Sequence, residues 1–381
     1  MENIMIYRDF QGIKLSALGL GCMRLPLGES KYGDVDIDAV KEMVAYAIEN
    51  GVNYFDTAWG YHNGKSELVM GEVLKDYPRE SFYLANKFPG YDLANMDKVE
   101  EIFEKQLEKC RVEYFDFYLF HSLNESNIDA YLDPKYGILD YLLEQKRRGR
   151  IKHLGFSTHA TYENTRRFLD AYGEHLEFGM IQLNWLDYKL QDAKAKIELL
   201  GEYGLPVWVM EPLRGGKLAS LAPEHASKLK KLRPDTEAVE WAFRFLQSVP
   251  TVGVTLSGMS NLEQLKQNIE IYRTEKPLSG EEMATILEIG DEIIAKKALP
   301  CTACNYCVTK CPAELDIPAL IKIYNSHIHS GGGVIDSARV RELSEDKKPS
   351  ACLGCGACEA VCPQNIKISE MMTDFASRIK K

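Results

Sequence analysis

Nowhere in the 381 residues does an uncharged apolar stretch reach the length of a membrane span, so no membrane partner is expected. No block of like charges occurs and the formal net charge is -10, which argues against a nucleic-acid partner, since a polyanion needs a basic face. The opening residues MENIMIYRDF hold no basic segment followed by an apolar run, and a cytoplasmic location is expected. No G-x-G-x-x-G opens a strand-turn-helix unit, so the phosphate-binding fingerprint of dinucleotide folds is missing. Cysteine is nearly absent before residue 300, with Cys22 and Cys110 alone there, which excludes a disulfide framework for that part.

What is present is enough for a large core, since 45% of the residues are hydrophobic. Eight of the ten cysteines crowd between Cys301 and Cys362, and in a reducing compartment such clustering points to metal. From residue 300 onward ten basic residues nearly balance nine acidic ones, so the acidity belongs to the long N-terminal part. The expected division is a barrel over 1–277, a connecting helix over 278–297 and a small domain over 298–381.

From residue 18 to about 270, short apolar runs rich in β-branched and aromatic residues alternate with amphipathic stretches of helical period. The runs are LGLGCM (18–23), NYFDTA (53–58), FYLANK (82–87), FDFYLFH (115–121), HLGFST (153–158), MIQLNW (180–185), PVWVME (206–211) and TVGVTL (251–256). Between them, stretches such as DIDAVKEMVAYAIEN space their apolar residues three and four apart, with Gly51 as a stop signal. Eight strand-helix units over about 250 residues fit an α/β fold, the (β/α)8 barrel. An open doubly wound sheet is the alternative arrangement. Ahead of the first unit, MIYRDF, QG and IKLSAL read as a hairpin that could cover the barrel bottom.

In such a barrel the C-terminal strand ends carry the chemistry. Asp56, Lys87, His121, Ser157, Asn184 and Glu211 each follow an apolar run. Taken singly, each also suits a bland role, as a helix cap or a hydrogen-bonded wall residue. Together they suggest more. Tyr61 lies five residues after Asp56, within reach of the mouth. A buried Lys beside a Tyr favours the phenolate, and Asp56 would keep the ammonium charged. Tyr61 could then protonate a carbonyl oxygen, with His121 orienting the carbonyl.

The ordered set FDTAWGYHNGKSE, LANKFP, DFYLFHSL, GFSTH, IQLNW, MEPLRGG and SGMSNLEQLKQN resembles the aldo/keto reductase family. The resemblance runs from the hairpin to about residue 275. It implies Tyr61 as general acid/base, Asp56 and Lys87 as its tuners and His121 as the group that positions the carbonyl. It also implies a nicotinamide cofactor, NADP(H) or NAD(H), in extended form. Ser157 and Gln182 would clamp its carboxamide with Asn184 nearby, and Met210 would cover its ring. Leu213, Arg214, Gly215 and Gly216 would strap its pyrophosphate, and Gln264 and Asn268 would meet its adenosine. The sequence departs from many relatives at Met210 and Glu211, where an aromatic residue and a serine are common, so a shorter cofactor residence is expected. Gly258 and Gln264 supply no charge for a 2'-phosphate, which leaves NADH and NADPH both open.

Residues 301–312, CTACNYCVTKCP, and 352–363, CLGCGACEAVCP, are both C-x2-C-x2-C-x3-C-P, the run of bacterial ferredoxins. The fourth cysteine of each run is expected to ligate the other cluster. Cys301, Cys304, Cys307 and Cys362 would then hold one 4Fe-4S cluster, and Cys352, Cys355, Cys358 and Cys311 the second. Structural zinc is the alternative occupant. The halves CPAELDIP and CPQNIKIS align at an offset of 51, with a helix expected at PALIKIYNSHIH and a flexible GGG at 331–333. The tail is similar to the mainly helical ferredoxin modules appended to oxidoreductases. Cys22 and Cys110 read as ordinary buried thiols.

A nicotinamide gives two electrons as hydride whereas a cluster passes one at a time, and no separate segment is found to house a flavin. Three functions follow. One is reduction of a small carbonyl substrate, with the clusters structural, redox-sensing or linked to a partner. The second is an electron-transfer adaptor serving a ferredoxin or other redox protein. The third has the clusters deliver single electrons to a substrate in the barrel.

Overall fold

A computed structural model describes residues 5–28, 34–295, 299–329, 340–341 and 343–379. The chain forms two compact units, Met1–Leu213 with Ala219–Met283, and Arg214–Leu218 with Ala284–Lys381.

The first unit opens with strands β1 (Tyr7–Phe10) and β2 (Ile13–Ser16), paired antiparallel with Phe10 opposite Ile13. Their turn is Gln11-Gly12, both left-handed at φ 48° and 87°, the two-residue geometry that follows the twist of a hairpin. Eight parallel strands then close into a barrel: β3 (Leu18–Gly21), β4 (Tyr54–Asp56), β5 (Tyr83–Phe88), β6 (Phe115–Leu123), β7 (Ile151–Thr158), β8 (Phe178–Gln182), β9 (Val207–Met210) and β10 (Val252–Ser257). β10 pairs with β3 to complete the ring. All eight expected strands are present, and the closed ring excludes the doubly wound sheet.

The hairpin covers one end of this barrel. Phe10 sits 5.8 Å from the Phe117 ring and 5.1 Å from that of Trp208, in a core shared with Tyr54, Phe178 and Val254. Those side chains come from the strand beginnings and middles, so the opposite end is left for polar residues. The surrounding helices follow the same logic of burial. Helix Ile37–Glu49 starts where the Asp36 carboxylate accepts from the Ala39 N–H at 3.1 Å, and it buries Val40, Met43, Val44 and Ala47 along one stripe. Val40, Met43 and Val44 each contribute about 1.5–3 kcal/mol of burial. The chain then turns at Gly51, φ 87°, where a Cβ would stand 2.7 Å from the Tyr7 hydroxyl oxygen.

Four strands, β3, β4, β8 and β9, end sooner than their apolar runs. Thr57 leaves β4 with its N–H on the Ala85 carbonyl, and Asn184 bends the chain after β8 by accepting the N–H groups of Leu186 and Asp187. At β8 the Asn184 side-chain bonds outcompete the ladder at the mouth, whereas the Thr57 bond still belongs to the β4–β5 pairing.

The second unit is a duplication. Left-handed residues recur at an offset of 51: Ala303 and Gly354, Asn305 and Gly356, Glu314 and Asn365. Helix Ile317–His329 corresponds to helix Ile368–Ile379. Their buried faces match as well, with Leu320 and Ile321 of the first equivalent to Met371 and Met372 of the second, in one core with Cys307 and Cys358. Helix Gly280–Ala295 belongs to this unit from Ala284 onward. The glycines 331–333 lie outside the described residues.

Candidate active site

Asp56 ends β4, Lys87 is the fifth residue of β5 and His121 the seventh of β6, so their side chains gather at the C-terminal end of the barrel. Lys87 is 1% exposed, and its Nζ donates to Asp56 Oδ1 at 2.6 Å, to the Thr57 carbonyl at 2.8 Å and to the Tyr61 hydroxyl at 3.3 Å. Burial pushes the Asp56 carboxyl above its ordinary value, and the Lys87 ammonium opposes that rise.

The Tyr61 hydroxyl is aimed by an unusual turn. His62, Asn63 and Gly64 are all left-handed, with φ 51°, 55° and 83°, a conformation that costs a non-glycine residue about 1–2 kcal/mol. Bonds hold it in place: the Leu25 N–H donates to His62 Nε2 at 3.1 Å, and burial lowers the His62 pKa, as suits a neutral acceptor. The Tyr61 ring meets His121 edge-on at 6.0 Å, and Tyr91 meets His121 edge-on at 5.1 Å. His121 is buried and held well below its ordinary pKa, by burial first and then by the Lys87 and His159 charges. A neutral imidazole there can donate one hydrogen bond without carrying charge.

The expected carboxamide residues lie on the adjoining strands. Ser157 Oγ, at the end of β7, accepts the Ser122 N–H at 2.8 Å. Gln182 and Asn184 converge on the buried Asp187, whose Oδ2 accepts from Gln182 Nε2 at 2.7 Å and Asn184 Nδ2 at 2.6 Å. Asn184 Nδ2 also donates to the Glu211 carbonyl at 2.9 Å while Oδ1 takes two backbone N–H groups, so its amide is occupied in shaping the loop. Met210 pairs with Gln182 in register between β8 and β9. Leu213 is half-buried at the end of the first unit.

Arg214 and Gly216 group with the second unit, where Arg214 donates to Gln364 at 3.2 Å. Residues 214–216 are nonetheless successively left-handed, with φ 50°, 65° and 88°, and nothing lies within 4 Å of where a Cβ of Gly216 would stand. Gln264 and Asn268 serve helix Leu262–Ile271: Gln264 accepts the Ser260 N–H at 2.8 Å beside the Asn261 cap, and Asn268 donates to Ser257 of β10 at 3.2 Å. The stem of Arg24 covers Gly258, within 3.1–3.2 Å of its would-be Cβ.

In the second unit Cys311, Cys352, Cys355 and Cys358 line one cavity with Leu315 and Met372. The Cys307 thiol, pushed up by burial, faces Cys304, Cys301, Cys362 and Cys358. The Ala303 N–H points at Cys301 Sγ and the Leu315 N–H at Cys311 Sγ, at 3.4 and 3.5 Å. No cysteine is in a disulfide. Among the described residues no three His, Cys, Asp or Glu converge on a single metal ion.

A family model of the aldo/keto reductases matches residues 17–291. The chain belongs to the aldo/keto reductase family. A second model, the 4Fe-4S dicluster domain, matches residues 300–366, so this aldo/keto reductase carries an iron-sulfur domain. It is similar to a soybean protein called probable aldo-keto reductase 1, 29% identical over 54% of this chain and 58% of that one. The NADH-specific methylglyoxal reductase of Escherichia coli is 26% identical over 54% of this chain and 66% of its own length. The match therefore spans less than two thirds of either relative. Among solved structures, the holo form of an aldo-keto reductase from Bacillus halodurans superposes with a TM-score of 0.59 at 25% identity, covering 75% of this chain and 96% of that one.

The sequence assigns no role to Glu67, which ends the motif FDTAWGYHNGKSE, to the buried Gln106 and Asp187 or to the half-buried Tyr91. Two of them had a visible signal. Glu67 shares a helical stripe with Met70, Gly71 and Leu74, and Gln106 one with Val99, Ile102, Phe103 and Cys110. A carboxylate or amide on an apolar stripe needs buried partners.

Proposed function

We propose that this aldo/keto reductase reduces an aldehyde or ketone, with Tyr61 as the general acid. The observation that carries the reading is the Lys87 ammonium shared among Asp56, the Thr57 carbonyl and the Tyr61 hydroxyl. The nicotinamide, NADH or NADPH, supplies the hydride when bound. Asp56 holds the ammonium in place and keeps it charged. Lys87 stabilises the phenolate that remains once Tyr61 gives its proton to the carbonyl oxygen. His121, neutral in its buried site, donates a hydrogen bond to that oxygen and orients it.

The residues fit the cofactor. Ser157 and Gln182 would clamp its carboxamide, with Gln182 and Asn184 both donating to Asp187 and Met210 opposite Gln182 in register. Gln264 and Asn268, at the start of the last barrel helix, are assigned to the adenosine end. Leu213, Arg214 and Gly216 are assigned to the pyrophosphate, where open space over left-handed backbone allows close approach. For the clusters, Cys301, Cys304, Cys307 and Cys362 would hold one cubane and Cys311, Cys352, Cys355 and Cys358 another, supplying one-electron redox chemistry.

A panel of methylglyoxal, 4-nitrobenzaldehyde and acetoacetate, offered anaerobically with NADH and with NADPH, tests the reading. Stoichiometric alcohol formation is expected for at least one member. If no member consumes either nucleotide, the reading fails.

A second reading is favoured by the exposure of one cysteine of the second set. Cys355 is exposed and the adjacent Leu353 is 70% exposed, which suits electron exchange with a ferredoxin or another redox protein. Bleaching of the cluster absorbance by nucleotide alone, without carbonyl, would support it.

A further inference from the structure

The proposed chemistry joins two side chains from different elements, Lys87 of β5 and Tyr61 of the loop after β4. We propose that Glu67 is the positioning residue that ties these two elements together, and so sets the distance over which the phenol proton is delivered. This inference rests on Tyr61 being the proton donor.

Glu67 is the second residue of helix Ser66–Leu74 and has no exposed surface. Its Oε1 accepts from Asn86 Nδ2 and from Gln106 Nε2, both at 2.9 Å. These two amides grip the backbone of Lys87. Asn86 Oδ1 accepts the Lys87 N–H at 2.8 Å, and Gln106 Nε2 lies 3.0 Å from the Lys87 carbonyl oxygen. The Tyr118 hydroxyl donates to Gln106 Oε1 at 2.6 Å, which turns the donor end of that amide toward Glu67.

The other carboxylate oxygen reaches the Tyr61 side. Oε2 accepts from Lys109 Nζ at 3.0 Å, and that ammonium stands 3.7 Å over the ring of Trp59, two residues before Tyr61. The neighbouring Ser66 hydroxyl is bonded to Thr57, whose carbonyl in turn accepts from the Lys87 ammonium. One carboxylate thus fastens the strand that carries the amine and the loop that carries the phenol. It touches no reacting atom.

The chemistry of the pocket requires an anion. Three donor groups face Glu67, two amide NH2 groups and an ammonium. A glutamine in its place would turn an NH2 toward another donor in either orientation. Packing alone needs no such group, because Met70 and Leu74 on the same stripe are apolar. A buried carboxylate also carries a desolvation cost that is offset only by partners of this kind.

The test compares wild-type protein with Glu67→Gln, Glu67→Asp and Lys109→Met, each as the full chain prepared anaerobically. The substrate is the member of the carbonyl panel that the wild type turns over fastest. For Glu67→Gln, kcat is expected to fall about 10-fold with KM changed less than about 2-fold, since displaced catalytic groups cost rate rather than binding. The solvent deuterium isotope effect on kcat should rise, because proton delivery becomes slower. Glu67→Asp keeps the charge and should recover part of the loss. Lys109→Met removes the support of Trp59 and should lower kcat about 3-fold, and it remains readable if Glu67→Gln does not fold. Tyr61→Phe, measured alongside, separates the two levels of the argument. Wild-type turnover in Tyr61→Phe would overturn the underlying assignment. An inactive Tyr61→Phe, together with wild-type kcat and isotope effect per folded molecule in the Glu67 and Lys109 variants, would overturn the positioning role alone.

Discussion

The Lys87 ammonium lies 3.3 Å from the Tyr61 hydroxyl, with its shorter bond, 2.6 Å, going to Asp56. The lysine is thus held by the carboxylate and leans toward the phenol, the arrangement of a charge that assists proton release without itself releasing a proton.

Replacing that lysine should therefore affect both stability and rate. Lys87 and Asp56 are almost fully buried, so Lys87→Met leaves a carboxylate without its counter-ion. A stability loss of about 3–5 kcal/mol in urea unfolding is expected, and carbonyl reduction should fall by about 100-fold or more even in the folded fraction. Unchanged stability would show that Asp56 is neutral in the folded chain.

Acid should destabilise the barrel through its histidines. Burial lowers the pKa of His62, of His121 and of His159, the last to about 3, with the Lys196 charge adding to the effect. An unfolded histidine takes its proton near pH 6.5, so below that value the unfolded chain binds more protons than the folded one. Stability is complete above about pH 6.5 and falls on acidification by about 1.4 kcal/mol per pH unit for each such histidine. For His159 the fall continues to about pH 3. Urea midpoints between pH 7.5 and 5 should show a shallower pH dependence in His159→Gln than in the wild type; equal slopes would contradict the burial argument.

The crossed cysteine sets make a spectroscopic prediction. Cys362→Ala should remove about half of the iron and sulfide and perturb the cluster held by Cys301, Cys304 and Cys307, while Cys311→Ala should perturb the other. Electron paramagnetic resonance of the reduced variants should then give Cys362→Ala the residual signal of Cys301→Ala, and Cys311→Ala that of Cys352→Ala. A Cys362→Ala signal that matches Cys352→Ala instead would mean that each four-cysteine run holds its own cluster.

Much of this was legible in the sequence because each barrel strand is a short apolar run whose polar terminal residue can only face the mouth. Asp56, Lys87 and His121 follow from that rule. The duplication was legible too, since an offset of 51 in the cysteines reappears in the left-handed residues and in the helices. The partners of Glu67 were not. They depend on helix Val99–Cys110 approaching helix Ser66–Leu74 so closely that a Cβ at Gly71 would stand 2.3 Å from the Lys109 carbonyl oxygen. Nor does the sequence reveal that the Asn184 amide is fully bonded, because Asp187 and the Glu211 carbonyl meet it only in the fold. The grouping of Arg214–Leu218 with the second unit is likewise a tertiary result.

The most direct test of the account is the rate of nucleotide oxidation by Tyr61→Phe, followed by stopped flow under anaerobic conditions with a carbonyl substrate of the wild type. The substitution removes one hydroxyl and leaves Lys87 with Asp56 and the Thr57 carbonyl. A fall of about 100-fold to 10,000-fold is expected, with nucleotide binding retained and the iron content unchanged. Oxidation at the wild-type rate would show that the proton comes from elsewhere.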